Sequence, residues 1–82
     1  MTADPLLQVF HEVLGVPLNE LNDDTSPDNQ AKWDSMRSME LVAAIEETFD
    51  IEMSTKEIMK SRSISLVREM LLGKNIETLP SD

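Results

Sequence analysis

Ser35 is the residue of this chain whose surroundings give a side chain chemistry to do. It follows Asp34 and opens the run from Trp33 to Phe49, which contains no Gly or Pro and many good helix formers. A helix N-terminus presents unpaired N–H groups and the positive end of the helix dipole, so a phosphate esterified to a hydroxyl there is electrostatically favoured. In the plainer reading, Asp34 or Ser35 is simply an N-cap, and such caps are far commoner than modification sites. The other reactive side chains offer less. There is no Cys, hence no thiol nucleophile, disulfide framework or zinc-thiolate site. His11, the single His, falls on a polar helix face with no second ligand at helical spacing, which reads as a surface residue and not a catalytic base. Glu46 and Glu47 are adjacent, so on a helix they point in different directions and cannot flank one substrate. No Gly-rich phosphate loop is present. The expectation is a protein that is not an enzyme, with Ser35 as acceptor of a group placed by another one.

The central helix must present that hydroxyl. Wound at about 100° per residue, it gathers Ser38, Leu41, Val42, Ile45 and Phe49 into a buried stripe. Met36, Met39, Glu40, Ala43 and Glu47 fall on the opposite side. A purely solvated face has no need of two thioethers, so this side reads as a contact surface next to Ser35.

The rest of the chain supplies a small all-α frame. Asp4 caps and Pro5 opens a first helix, with Leu6, Leu7, Val9, Phe10, Val13 and Leu14 on one half of its wheel and an end near Gly15. Residues 16–33 form a long loop rich in turn formers, anchored by Val16, Leu18 and Leu21, with Trp33 as a packing anchor where it meets the central helix. A calcium loop starting at Asp23 fails, because Thr25, Pro27, Asp28 and Asp34 stand where ligands, Gly and Glu are required. Ser54 and Glu57 form a capping box that starts a short third helix to about Lys60, with Ile58 and Met59 facing inward. Ser63 caps a last helix whose inner arc is Ile64, Leu66, Val67, Met70 and Leu71 and whose end is Gly73. The fold class is a small four-helix bundle, three longer helices and a short third one, with the long loop between helices one and two. It forms a single domain over 1–82, ordered over about 4–73, with 74–82 as a flexible tail.

Charge narrows the partners. The net charge of −9 is unevenly placed: residues 1–34 carry −6, 35–52 carry −4 and 53–82 carry +1. Nucleic acid and anionic membrane suit such a surface poorly, whereas a basic patch on another protein suits it well. No apolar run approaches membrane-spanning length and no signal peptide is visible, so a cytoplasmic location is expected.

Trp33-Asp34-Ser35-Met36, Glu40-Leu41-Val42, Ile45-Glu46-Glu47, Phe49, Ile51 and Met53 together resemble the acyl carrier proteins and peptidyl carrier domains, over roughly Leu6 to Leu72. The resemblance implies that Ser35 carries 4′-phosphopantetheine through a phosphodiester, with an acyl or aminoacyl cargo held as a thioester on its terminal thiol. It further implies a recognition face of Asp34, Met36, Glu40, Glu46 and Glu47, to which the wheel adds Met39. The implied partners are a phosphopantetheinyl transferase and loading ligases, synthases or transferases with basic docking patches, visited by a monomeric carrier. Arg37, Lys56 and Lys60 depart from the acidic pattern of the housekeeping fatty acid carriers, and Trp33 is more like specialised ones. The expectation is a discrete carrier of a dedicated pathway, whether fatty acid, polyketide, nonribosomal peptide or modified lipid. The rival is a small acidic adaptor whose Met/Glu face binds one basic partner, with no prosthetic group and Ser35 as a cap.

Overall fold

Each helix of this chain begins and ends where a short-range hydrogen bond obliges it to. A computed structural model describes residues 4–76, and among them all the α-helical structure lies in four segments, α1 (Pro5–Leu14), α2 (Ser35–Phe49), α3 (Thr55–Lys60) and α4 (Ile64–Gly73), with a 3₁₀ turn at Leu18–Glu20. No strand occurs among the described residues. The all-α, four-helix expectation holds.

Asp4 caps α1, its Oδ1 accepting from the Leu6 and Leu7 N–H groups at 3.1 and 3.2 Å. Gly15 closes it in the left-handed region (φ 70°), where a side chain would be strained. The capping box of α3 is complete: Ser54 Oγ accepts from the Glu57 N–H and Glu57 Oε1 from the Ser54 N–H. Ser63 caps α4 through the Leu66 N–H at 3.1 Å.

The core is one cluster. Leu6, Phe10 and Leu14 of α1 meet Leu41 and Ile45 of α2 and Ile64, Val67 and Leu71 of α4, with Val16, Leu21, Trp33 and Met53 closing the gaps. Several residues expected to face inward face out. Leu18 is exposed because the 3₁₀ turn rotates it away, while Val16 and Leu21 on either side are buried. Leu66 is exposed because α4 buries Ile64, Val67, Arg68 and Leu71, the positions i, i+3, i+4 and i+7 of one face. Met59 is 70% exposed: α3 has a single inward row, filled by Ile58. His11 is half-buried, not a free surface group, and its Nδ1–H donates to the Val16 carbonyl at 2.7 Å.

The long loop is packed by its own side chains. Asn22, Thr25, Ser26, Asn29 and Gln30 all satisfy backbone groups within it. It also completes α4, whose Ile64 and Ser65 N–H groups donate to the Thr25 and Asp23 carbonyls at 3.0 Å each. Arg68 locks this junction. It is 6% exposed and pairs with Asp4 of the α1 cap and, at 2.7 Å, with Asp23 of the loop. Burial disfavours its charge, but the hydrogen bonds and charges of Asp4 and Asp23 outweigh that and raise its pKa further.

At the C-terminus α4 runs through Gly73, and the left-handed residue is Asn75 (φ 66°). Residues 74–76, assigned above to a flexible tail, are tied in: Ile76 N–H returns to the Leu71 carbonyl at 2.9 Å, Ile76 packs on the core, and Lys74 pairs with Glu57 at 3.0 Å. The rest of that tail, 77–82, lies outside the described residues.

Two outcomes follow from these ion pairs. Arg68→Met leaves the Asp4 and Asp23 carboxylates unpaired, Asp4 mostly buried and Asp23 half-exposed; urea unfolding should show a loss of about 2–3 kcal/mol, below the full cost of breaking a wholly buried pair. The Ser54 N–H, then Lys74, hold the Glu57 carboxyl below its ordinary pKa. The folded chain thus binds that proton less readily than the unfolded one. Its contribution is complete above the ordinary value and is lost as pH falls through the lowered one. Thermal unfolding between about pH 5 and pH 3 should show this loss in the native protein and not in Glu57→Gln.

Candidate functional site

Ser35 is the first residue of α2, and the cap is not its task. Asp34, with extended backbone, accepts the Arg37 N–H on Oδ1 at 2.8 Å, and its carbonyl accepts the Ser38 N–H at 2.9 Å. Of the two cap candidates the structure selects Asp34. Ser35 is exposed, and its hydroxyl makes no hydrogen bond among the described residues. The N–H groups of Ser35 and Met36 likewise have no protein acceptor there. A reactive oxygen and two open donors therefore share one helix end.

Four contacts fix that end in space. Trp33 Nε1–H donates to Ser38 Oγ at 3.0 Å, and Ser38 Oγ–H donates on to the Asp34 carbonyl at 2.9 Å. The Trp33 ring, buried, meets Phe10 of α1 edge to face with centroids 4.9 Å apart. Arg37, the basic residue that broke the acidic pattern, reaches back to α1, where its guanidinium donates to the Val13 carbonyl at 3.0 Å. A cation at the C-terminal end of a helix is favoured by the dipole, so Arg37 serves the frame.

Beside Ser35 lies a cavity of about 300 Å³. Phe10, Leu41, Val42, Ile45, Ile58 and Val67 give it an apolar body; Ser35, Ser38, Ser61 and Arg62 stand among its polar lining. Side chains of both α2 and α3 line it, with Ser35 contributing to its wall.

The side of α2 that the wheel turned outward is exposed. Met36 and Met39 are 72% and 67% exposed, and Glu40, Ala43 and Glu47 are exposed with them. Asp34 adjoins them. Glu46 differs: it is half-buried, and its Oε2 accepts the Met53 N–H at 2.7 Å, so this carboxylate is committed to the link between α2 and α3. Lys56, Lys60 and Arg62 are exposed on the α3 side. Sequence reasoning missed Arg62; a Ser-Arg-Ser link between helices carries no sign of which way its Arg turns. No group of His, Asp and Glu among the described residues is arranged to hold a metal ion.

The family model described as a phosphopantetheine attachment site matches residues 4–71. The chain belongs to that family. It is therefore a carrier protein for covalently attached 4′-phosphopantetheine, a class that is generally non-catalytic and meets transferases and other enzymes in turn. No curated protein matches the chain. Membership removes the adaptor without a prosthetic group. The geometry agrees with the chemistry of attachment: a free hydroxyl, two open N–H donors suited to a phosphate, and apolar space within reach. No helix among the described residues is long and apolar enough to cross a membrane.

The assignment of the cap is checked by two substitutions. Asp34→Ala should cost about 1 kcal/mol in urea unfolding, whereas Asp34→Asn, which keeps a capping oxygen, should stay within a few tenths.

Proposed function

We propose that Ser35 is the attachment residue and that the carrier brings acyl or aminoacyl intermediates to successive enzymes of a dedicated biosynthetic pathway. The observation that carries this reading is the Ser35 hydroxyl, exposed and unpartnered at an α2 terminus already capped by Asp34. Ser35 supplies the oxygen of the phosphodiester, while the Ser35 and Met36 N–H groups and the α2 dipole stabilise its charge. The attached arm offers a thiol that holds the cargo as a thioester.

The chain's own residues do the rest. Asp34, Trp33 and Ser38 hold the terminus so that successive enzymes meet the same geometry. Met36 and Met39 give adaptable apolar contact, and Glu40 and Glu47 meet basic groups of the partner. Such contacts are individually weak and screened by salt, which suits a molecule that must leave each enzyme for the next. The apolar cavity next to Ser35 has room for a short acyl chain. On this reading the protein is a cytoplasmic monomer. Lys56 and Lys60 on α3 and Arg37 turned into the frame favour a specialised pathway over housekeeping fatty acid synthesis.

Incubation with coenzyme A, Mg²⁺ and a broad-specificity phosphopantetheinyl transferase should add one phosphopantetheine to the intact mass, and Ser35→Ala should abolish the gain. A gain that survives in Ser35→Ala refutes the assignment. Glu40→Lys and Glu47→Lys should each lower the kcat/KM of loading by about 2–5-fold at low salt, the size expected for one exposed charge pair. Raising the ionic strength should shrink that difference.

A further inference from the structure

The cavity beside Ser35 has a largely apolar lining, and of the four polar side chains named in it Ser38 and Ser61 are already spoken for. Ser38 Oγ accepts from Trp33 and donates to the Asp34 carbonyl. Ser61 Oγ donates to the Glu57 carbonyl at 2.7 Å. Arg62 is the one cation in the lining, and it reaches the cavity from the α3–α4 link, whereas Ser35 reaches it from the start of α2. Its backbone is pinned there by the Arg62 N–H, which donates to the Lys60 carbonyl at 2.9 Å. Its side chain is exposed and forms no ion pair among the described residues, where Arg68 serves Asp4 and Asp23 and Lys74 serves Glu57.

We infer that Arg62 is a positioning residue that pairs with the phosphodiester on Ser35 and holds the root of the prosthetic arm beside the cavity that both residues line. The inference rests on the attachment of that arm to Ser35. A planar guanidinium matches phosphate oxygens two at a time, and on the α2 side the open N–H groups face the same charge. The phosphate then bridges two elements that share no ion pair of their own among the described residues. An arm so rooted starts toward apolar space, and a short cargo on it is shielded from water-borne nucleophiles. Because Arg62 is exposed, the pairing is modest and salt-sensitive, a bias of about 2–5-fold.

The test uses the full chain, loaded on Ser35 and checked by intact mass, as the native sequence, Arg62→Gln and Arg62→Lys. Phosphorus NMR of the phosphodiester should show a different resonance in Arg62→Gln. The native resonance should move toward it as NaCl is raised to about 1 M, where screening length falls to a few ångströms. With a hexanoyl thioester in place, cleavage by hydroxylamine at low salt should be about 2–5-fold faster in Arg62→Gln, with Arg62→Lys between, and equal in all three at high salt. Identical phosphorus resonances and cleavage rates in fully loaded native and Arg62→Gln protein overturn the pairing and leave the attachment reading intact. An effect seen only when hexanoyl is replaced by succinyl overturns it too, since the cation then reads a cargo carboxylate. Absence of a Ser35-dependent mass gain overturns the attachment reading and this inference together.

Discussion

The hydrogen bond from the Arg37 N–H to the Asp34 carboxylate decides what Ser35 is free to do. A helix start leaves orphan donors, and the residue that satisfies them is committed to the fold. Here Asp34 takes that duty, and the next residue stands inside the first turn with an unused hydroxyl. Had Ser35 been the cap, its oxygen would already have been accepting a backbone proton. The division of labour between two neighbouring side chains is what leaves a nucleophilic oxygen available at the positive end of a helix.

Exposure alone would leave that oxygen on a fraying terminus, and the surrounding contacts prevent this. Trp33 ties the last loop residue to α2 through Ser38 and to α1 through Phe10, and Arg37 ties α2 to the end of α1. The frame behind it is held by an ionic junction, where Arg68 joins the α1 cap, the long loop and α4. For a chain of this size, which buries only a modest share of its surface, such cross-element contacts supplement a small core.

Much of this was legible in the sequence because it is local. The caps at Asp4, Ser54 and Ser63, the stop at Gly15 and the 3.6-residue periodicity of α2 depend on residues three or four positions apart. The outward turn of Met36, Met39, Glu40 and Glu47 was legible for the same reason. What escaped depends on distant partners. Arg68 looks like a surface residue until Asp4 and Asp23 are brought beside it, and it takes the inward place that the wheel gave to Leu66. Glu46 looks like one more docking carboxylate until the chain turns at Asp50 (φ 54°) and brings the Met53 N–H to it. Thr25 is buried because its carbonyl completes α4, which no pattern within the loop reveals. The place of Arg62 in the cavity lining belongs to the same class.

The carbonyl groups of Asp23 and Thr25 that finish the first turn of α4 have a mechanical consequence. They make the longest irregular segment of the chain a rigid strut, since loosening it would strand α4 donors and uncouple Arg68. The most lightly anchored helix lies elsewhere. It is α3, six residues long, with no buried side chain of its own, seated by Ile58, Met53 just before it and the Glu57–Lys74 clasp. Ile58 and Met59 of that short helix wall the space beside Ser35, so the width of that space depends on the most lightly seated helix of the fold.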